Sequence, residues 1–379
     1  MDGVVIRTNS ANTTLTVNAQ KDTVEHYGNL GKLVLTDIAY DCFYEYGKTA
    51  YAEAAKGKIV AKEGGEVTVL YATAPAVAAV KEGGTIGNAY CVSTSEAEAE
   101  TTGYTNFSNS QSGNVTFEYV DENNVPLTSN SIEEKAQAAV DNNIIKEIED
   151  SGLYEVRIGK VGYETLSDAV DAASTDDTIV LLKDIHFDGS HQVYLWNKDF
   201  DLDLNNKTIS SISTLESWKS TTICYTPVSS GPNMTVYVKN GRVESLRGAG
   251  IYADCAKLTM FIDNVIVEQD SSAYTVSNYS SALRITEGGT IVVNSGSFKG
   301  YIAIDMNSSG NTFTQHCIIN GGTFDGKLNV SAAGKNLEFV VNGGTFKNTG
   351  LTYEQFESYV SSGKTIVVNS DGSWTVTAE

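Results

Sequence analysis

Short runs of alternating apolar and polar residues, separated by glycine, fill the first 93 residues. Examples are Thr14–Val17, Lys32–Leu35 and Val67–Leu70. Alternation with a period of two is typical of strands that bury one face. The tetrapeptide Lys-Glu-Gly-Gly occurs at 62–65 and again at 81–84, nineteen positions later. A repeat of that length predicts short strands wound into coils, so residues 1–93 are interpreted as a β-solenoid-like region.

The pattern changes twice before residue 161. Residues 94–114 are mostly Ser, Thr, Asn, Gly and Glu, which predicts a linker or a long loop. An alternating strand at 115–120 precedes a helix that begins with a capping box, Ser131 with Glu134, and ends at Gly152. We interpret residues 115–160 as a small acidic α/β segment whose helix faces a core, with a partner-binding helix as the alternative. Its apolar face comprises Ile132, Ala136, Ala139, Val140, Ile144 and Ile148.

A repeat dominates residues 161–379. Three hexapeptides, Val293–Phe298, Ile319–Phe324 and Val341–Phe346, share one pattern, and their phenylalanines are 26 and 22 residues apart. Weaker copies precede them, with the equivalent asparagines at 205, 240, 264, 294, 320 and 342. Steps of 22 to 26 suit one coil of three short strands, whereas the step of 35 needs an insertion. Asn and Gly accept the left-handed backbone of a sharp corner, and the phenylalanines are expected to stack.

Both ends of such a coil stack need caps, because an open end is a template for aggregation. A predicted helix at 165–173 covers one end. At the other end, Thr352 and Gln355 form a capping box for a second helix, and a hairpin at 365–376 follows it. The predicted fold is therefore mainly β: a parallel β-helix at 161–379 with short capping helices, preceded by the β-solenoid-like region and the small α/β segment.

Several of these motifs resemble a known family. Gly162–Val170, the Asn-Gly-Gly-Thr-Phe coils and the closing Asp371–Val376 are similar to bacterial surface proteins with a pectin-lyase-like, right-handed parallel β-helix. The resemblance covers about 160–379, and residues 13–93 resemble β-helical stretches of the same large proteins. It implies a right-handed, adhesin-like module, extracellular or on the cell surface, within a larger surface protein. Met1 is interpreted as a start placed on an excised fragment, because Asp2–Arg7 lacks the features of a secretory leader.

Charge and composition limit the classes of molecule that the chain is expected to bind. The formal net charge is −21, which excludes nucleic acid and anionic membrane surfaces as good partners. No apolar run is long enough for a membrane-spanning helix. The five cysteines are odd in number and far apart, so they predict small buried groups rather than disulfides or metal ligands. We expect no metal and no cofactor.

One strand carries candidate chemistry. Asp199, Asp201 and Asp203 alternate with apolar residues, so their carboxylates share one face. Two carboxylates on one face could act as the acid and the nucleophile of a glycosidase or bind calcium. Any strand with one solvent-exposed face shows the same spacing, however. No arginine lies in a carboxylate-arginine motif, and no catalytic residue is predicted.

Aromatic residues around the 35-residue step suit a binding role. Exposed rings on an inserted loop can pack against sugar faces, although packing of the insertion onto its own coil is the alternative. The predicted glycan-binding residues are Tyr194, Trp196, Trp218, Tyr225, Asp201 and Asp203.

The sequence therefore predicts a non-enzymatic display or adhesion module that binds host or microbial glycans or surface proteins. Two other classes stay open. A polysaccharide lyase or glycoside hydrolase of this fold predicts carboxylates with Arg or Lys in a groove, and a phage receptor-binding spike predicts a trimer.

Overall fold

The chain folds into two compact units, Met1–Ser151 and Gly152–Glu379. It is mainly β, with a β-solenoid of about 12 turns and few helices. The computed structural model describes residues 3–19, 22–38, 42–74, 77–93, 115, 117–126, 131–188, 193–194, 198–212, 221–225, 233–254, 256–270, 280–286, 288–306, 313–330 and 336–378.

The first unit is a stack of parallel strands with two strands in most coils. Its elements are β1 (Val4–Asn18), β2 (Val24–Asp37), β3 (Cys42–Glu45), β4 (Lys48–Ala54), β5 (Gly57–Lys62), β6 (Glu66–Ala72), β7 (Val77–Glu82), β8 (Thr85–Val92), β9 (Phe117–Val120) and α1 (Ile132–Asp150). One row of paired strands follows the order β2-β3-β5-β7, the other β2-β4-β6-β8-β9, and β1 pairs with β2 along both rows. Val67 pairs with Ile86, nineteen positions later, which is the spacing of the Lys-Glu-Gly-Gly repeat.

Helix α1 covers the outward face of the second row. The Ser131 side chain accepts a hydrogen bond from the Glu134 N–H, as the predicted capping box requires. Ile132, Ala136 and Ala139 pack against a cluster of strand residues, so the core-facing interpretation of the helix is confirmed. These strand residues include Tyr51, Val69, Tyr71 and Tyr90.

The predicted α/β segment 115–160 is not one body. Strand β9 pairs in parallel with β8 through Ala89–Phe117, so it completes the first unit. Residues 156–158 instead pair with strands of the second unit. A parallel partner can lie far away in sequence, which is why residue order alone gave a different boundary.

The second unit is a parallel β-helix with three rows of strands. Its strands are β10 (Val156–Ile158), β11 (Val161–Tyr163), β12 (Thr178–Leu181), β13 (Ile185–Phe187), β14 (Val193–Tyr194), β15 (Asp201–Asp203), β16 (Thr208–Ser211), β17 (Ile223–Tyr225), β18 (Met234–Ser245), β19 (Ile251–Asp254), β20 (Leu258–Gln269), β21 (Ser281–Thr286), β22 (Thr290–Val293), β23 (Gly296–Asp305), β24 (Gln315–Ile319), β25 (Thr323–Asn329), β26 (Leu337–Val341), β27 (Gly344–Lys347), β28 (Lys364–Val368) and β29 (Trp374–Ala378). Its helices are α2 (Leu166–Ala172) and α3 (Tyr353–Glu357).

The first row runs through β12, β15, β18, β20, β22, β24 and β26. The second row runs through β13, β16, β18, β20, β23, β25 and β27, and the third through β14, β17, β19, β21, β23 and β25. The long strands β18, β20, β23 and β25 each contribute to two rows.

The predicted phenylalanine stack is confirmed. Phe298 pairs with Phe324, and Phe324 with Phe346. Their ring centroids are 5.0 and 4.9 Å apart, and the rings are within 10° of parallel. Each ring therefore fills the same place in its coil, one strand spacing above the last.

The corners use asparagine and glycine in two different ways. Asn205, Asn240 and Asn264 adopt left-handed φ values of 47°, 59° and 54°. In a later coil the positive φ, 131°, falls on Gly296, where an added Cβ would lie 2.3 Å from the Val265 carbonyl oxygen. Only glycine fits that approach. Side-chain hydrogen bonds between asparagines on neighbouring coils form a ladder that includes the later ones.

Both predicted caps are present. At one end α2 follows a β10–β11 hairpin, and its Leu166 and Ala169 are buried. At the other end Thr352 and Gln355 complete the capping box of α3. The ring of Phe356 lies 4.9 Å from that of Phe346, and the antiparallel β28–β29 hairpin pairs with β27. The phenylalanine stack is thus closed by a helix and a hairpin.

Candidate functional site

A groove of about 550 Å³ lies along the second row of the second unit. Its floor is a ladder of side chains in register on successive coils: His186, Ser210, Glu244, Glu268 and Lys299. Neighbouring rungs of a parallel sheet are about 4.8 Å apart, so the five positions form a straight row of polar groups.

Strand alternation turns this row outward. In β20, Val267 is fully buried and Gln269 is 4% exposed, while Glu268 between them faces the groove. The same alternation in β18 buries Val243 and Ser245 on either side of Glu244. The buried neighbours on either side therefore fix the direction of the carboxylates.

Arg242 hydrogen-bonds to two neighbouring residues of this row, Glu244 and Glu268. Its Nε donates a 2.5 Å hydrogen bond to Glu244 Oε1, and its Nη2 donates to Glu268. The hydrogen bond that the guanidinium donates to Glu244 is the main cause that raises the pKa of Arg242. One cation thus holds two carboxyl groups side by side.

The groove is mildly acidic. The side chains of Glu244, Glu268 and Asp270 line it together with Lys299, and Arg242, next to the groove, pairs with Glu244 and Glu268. At one end, His186 Nδ1 and Ser210 Oγ are 2.5 Å apart and share a hydrogen bond. Hydrogen-bond donors and acceptors therefore follow one another along the row, an arrangement suited to an extended ligand with many hydroxyl groups.

The predicted aspartates lie in the first row, outside this groove. Leu202 is fully buried between Asp201 and Asp203, as the alternation predicts. Asp201 Oδ1 accepts a hydrogen bond of 3.0 Å from the Tyr237 N–H, and Asp203 Oδ1 one of 2.9 Å from the Asn205 N–H. Burial raises the pKa of Asp201. Both carboxylates bond to neighbouring backbone, which is a structural role.

The predicted aromatic residues do not form a binding surface among the described residues. Tyr225 is fully buried, so the prediction of an exposed ring is wrong for this residue. It shares the inward orientation of Ile223, two positions earlier in β17, and burial raises the pKa of its phenol. Tyr194 lies in β14, but its side chain, like Trp196 and Trp218, lies outside the described residues.

The groove is not evident in the sequence until the coils are aligned in register. Glu244 and Glu268 both lie four positions after a corner asparagine, Asn240 and Asn264. Aligning the repeats on those asparagines would have found the pair. A second missed pair, Arg284 Nη1 with Asp305 Oδ2 at 3.2 Å, is buried in the third row.

A buried cluster in the first unit has the geometry of a catalytic triad. His26 Nε2 is 2.7 Å from Thr8 Oγ1, and His26 Nδ1 is 2.7 Å from Glu45 Oε1. However, the Thr8 hydroxyl donates to the Asn29 carbonyl at 2.6 Å. Nε2–H must then donate to Thr8, so Nε2 cannot accept the proton of that hydroxyl. The cluster is therefore a hydrogen-bond network that supports the core rather than a catalytic triad.

Comparisons of the chain with protein-family models, curated proteins and solved structures find no significant match. In the described part of the chain, no helix has the length and apolar character needed to cross a membrane. The same part contains no group of three or more His, Cys, Asp or Glu side chains arranged for a metal ion.

Proposed function

We propose that the chain is a non-enzymatic display module of a bacterial surface protein, and that the groove of its second unit binds an extended neutral glycan. The observation that carries this proposal is the registered row His186, Ser210, Glu244, Glu268 and Lys299. The row repeats a polar side chain on every coil of a rigid scaffold.

The length of the row supports a polymeric ligand. Four steps of about 4.8 Å give roughly 19 Å, which is the length of several linked sugar rings. Because one linked pyranose advances by about one rung, successive side chains can address successive sugars. Carboxylates and hydroxyls are hydrogen-bond partners for sugar hydroxyl groups, and Lys299 supplies a donor at the far end.

The charge of the groove favours a neutral ligand. A polyuronate would bring carboxylates close to Glu244, Glu268 and Asp270, and Arg242 is already paired with two of them. Like charges in a groove repel. This argues against the lyase alternative, in which cations must receive an acidic substrate.

The hydrogen bonds of the groove also favour binding over hydrolysis. A glycosidase needs one protonated carboxylic acid beside a second carboxylate. Glu244 and Glu268 both accept hydrogen bonds from the same Arg242 guanidinium, so the two carboxyl groups have similar surroundings rather than the distinct ones that an acid and a nucleophile require. Extracellular location, adhesion and a place in a larger surface protein follow from the family resemblance and belong to the same proposal.

The test is binding to a glycan array that contains neutral and acidic polysaccharides. We expect binding to neutral glycans, and at least a tenfold loss in the double variant Glu244→Gln/Glu268→Gln, whose amides keep the size of the side chains. Glu338→Gln is the matched control, because this exposed carboxylate lies on β26 in the first row.

Two results would overturn the proposal. One is binding that the double variant leaves unchanged. The other is release of reducing sugar from any glycan by the wild type together with its loss in Glu268→Gln, because the groove would then be an active site.

A further inference from the structure

The first unit contains a groove of its own, of about 380 Å³, between α1 and strands β2, β4 and β6. Tyr51 and Tyr71 line it, and each is 8% exposed. The helix adds an aliphatic wall made by Ile132, Ala136 and Val140. Every one of these residues belongs to the first unit.

Polar groups converge on this groove from three elements. Lys32 Nζ lies 3.0 Å from Glu53 Oε2, and it also lies above the Tyr51 ring, 5.3 Å from its centroid. The Tyr71 hydroxyl donates to Asn124 Oδ1. The groove thus has an ammonium, a carboxylate, a phenol and an amide whose positions are fixed by bonds to one another.

The helix side of the rim adds Glu133 and Gln137. Both phenols remain hydrogen-bond donors well above neutral pH, because burial, reinforced by Glu53, raises the pKa of Tyr51 and of Tyr71.

Size and charge together define the ligand. A volume of about 380 Å³ is near the lower end of the range for small-molecule sites, about 300–1,000 Å³. Lys32 faces two carboxylates, Glu53 and Glu133, so an anionic ligand is disfavoured. A mixture of donors and acceptors beside an aliphatic wall matches a molecule with many hydroxyl groups and a C–H face.

We propose that this groove is a second binding site, specific for a single neutral sugar unit. It rests on the geometry of the first unit alone and does not depend on the function proposed for the second unit. A chain with both sites would bind a glycan surface through two contacts, and the two contacts would reinforce each other wherever both can engage.

The test is saturation-transfer NMR on the full chain. The neutral probes are methyl glucoside, methyl galactoside and N-acetylglucosamine, and the charged probes are choline and acetate. We expect saturation transfer to at least one neutral sugar, with at least a fivefold reduction in Gln137→Ala and in Glu133→Gln. The matched control is Glu134→Gln, which removes the same charge from the same helical turn outside the groove.

The unit 2 variant Glu244→Gln/Glu268→Gln separates the two sites. The proposal requires that saturation transfer to the monosaccharides survives in this variant. It is wrong if no neutral sugar receives saturation, if only choline or acetate does, if the signal persists in Gln137→Ala, or if Glu134→Gln or the unit 2 variant removes it equally.

Discussion

The two solenoids stack parallel strands in the same way but fill their interiors differently. The first unit has two strands in most coils, and alanines such as Ala52, Ala54, Ala61, Ala72 and Ala79 recur in its core. The second unit has three strands in most coils, and phenylalanines stack through its last three coils. The number of strands in a coil sets the width of the interior, and the width sets the size of the side chains that fill it.

The outward faces differ as well. In the first unit, α1 covers Tyr51, Tyr71 and Tyr90, and a small groove lies at its edge. In the second unit, the row that contains Glu244 and Glu268 lies open as a longer groove. The same outward alternation thus produces a packing surface in one unit and a recognition surface in the other.

The largest effect is expected from the centre of the phenylalanine stack. Phe324 is 1% exposed and contacts a ring on each side, so Phe324→Ala leaves a cavity that costs about 3–5 kcal/mol of unfolding free energy. Hydrogen exchange should accelerate in β23, β25 and β27. Phe324→Leu is the control and should lose much less. Equal losses in the two variants would mean that the stack is not tightly packed.

The matching experiment in the first unit removes one partner of the buried hydrogen bond between His26 and Glu45. Glu45→Leu leaves Nδ1 of the fully buried His26 without its partner, and should cost about 3 kcal/mol of unfolding free energy by urea denaturation. The double variant His26→Leu/Glu45→Leu should recover most of that loss, because two apolar groups can replace a buried hydrogen-bonded pair. A double variant as unstable as the single one would show that the loss does not come from the unpaired imidazole.

A smaller effect is expected from the corner ladder of the second unit. Asn320 Nδ2 donates to Asn294 Oδ1 at 3.0 Å, and Asn342 Nδ2 donates to Asn320 Oδ1 at 2.9 Å. Asn320→Ala removes both bonds and should cost about 1–2 kcal/mol in thermal or urea unfolding. Asn320→Asp is the comparison, because it keeps an acceptor and loses the donor. An unchanged midpoint in Asn320→Ala would show that the ladder adds nothing to the corner.

The smallest expected effect is a pH dependence of the free energy of unfolding that arises in the first unit. Burial raises the pKa of the Cys91 thiol to about 12. Above pH about 8.5, the thiol ionises in the unfolded chain while the folded one stays neutral. The free energy of unfolding therefore falls as pH rises from about 9 towards 12.

Cys91→Ala should reduce that slope, as measured by unfolding midpoints at pH 8, 9 and 10. Alkylation of the native protein at pH 8.5 should modify the half-buried Cys42 well before Cys91 or Cys317. Equal slopes in wild type and variant, or early labelling of Cys91, would contradict the burial of this thiol.

Local patterns predicted the elements of the fold well. The Asn-Gly-Gly-Thr-Phe segments located the coils and the stacked rings, and the capping boxes at Ser131 and Thr352 located two helices. These features depend on residues close together in the chain. The unit boundary was missed because β9 pairs with β8 across residues 94–114, and no local signal marks such a partner.

The groove was missed for a related reason. Its floor combines His186, Ser210, Glu244, Glu268 and Lys299, which steps of 24 to 34 residues separate along the chain. Unequal insertions hide such a row until the coils are in register. The aromatic residues around the 35-residue step attracted attention as residue types, yet Tyr225 occupies an inward position and is part of the core.

Glycan binding in the groove is tested most directly by a hydrogen-exchange footprint of the full chain with a neutral oligosaccharide of four or five sugars selected by the array. We expect slower exchange in β16, the second half of β18 and β20, and the start of β23, where the groove residues lie. In Glu244→Gln/Glu268→Gln this protection should be lost. Protection confined to the first or third row, or protection that survives in the double variant, would contradict glycan binding in this groove.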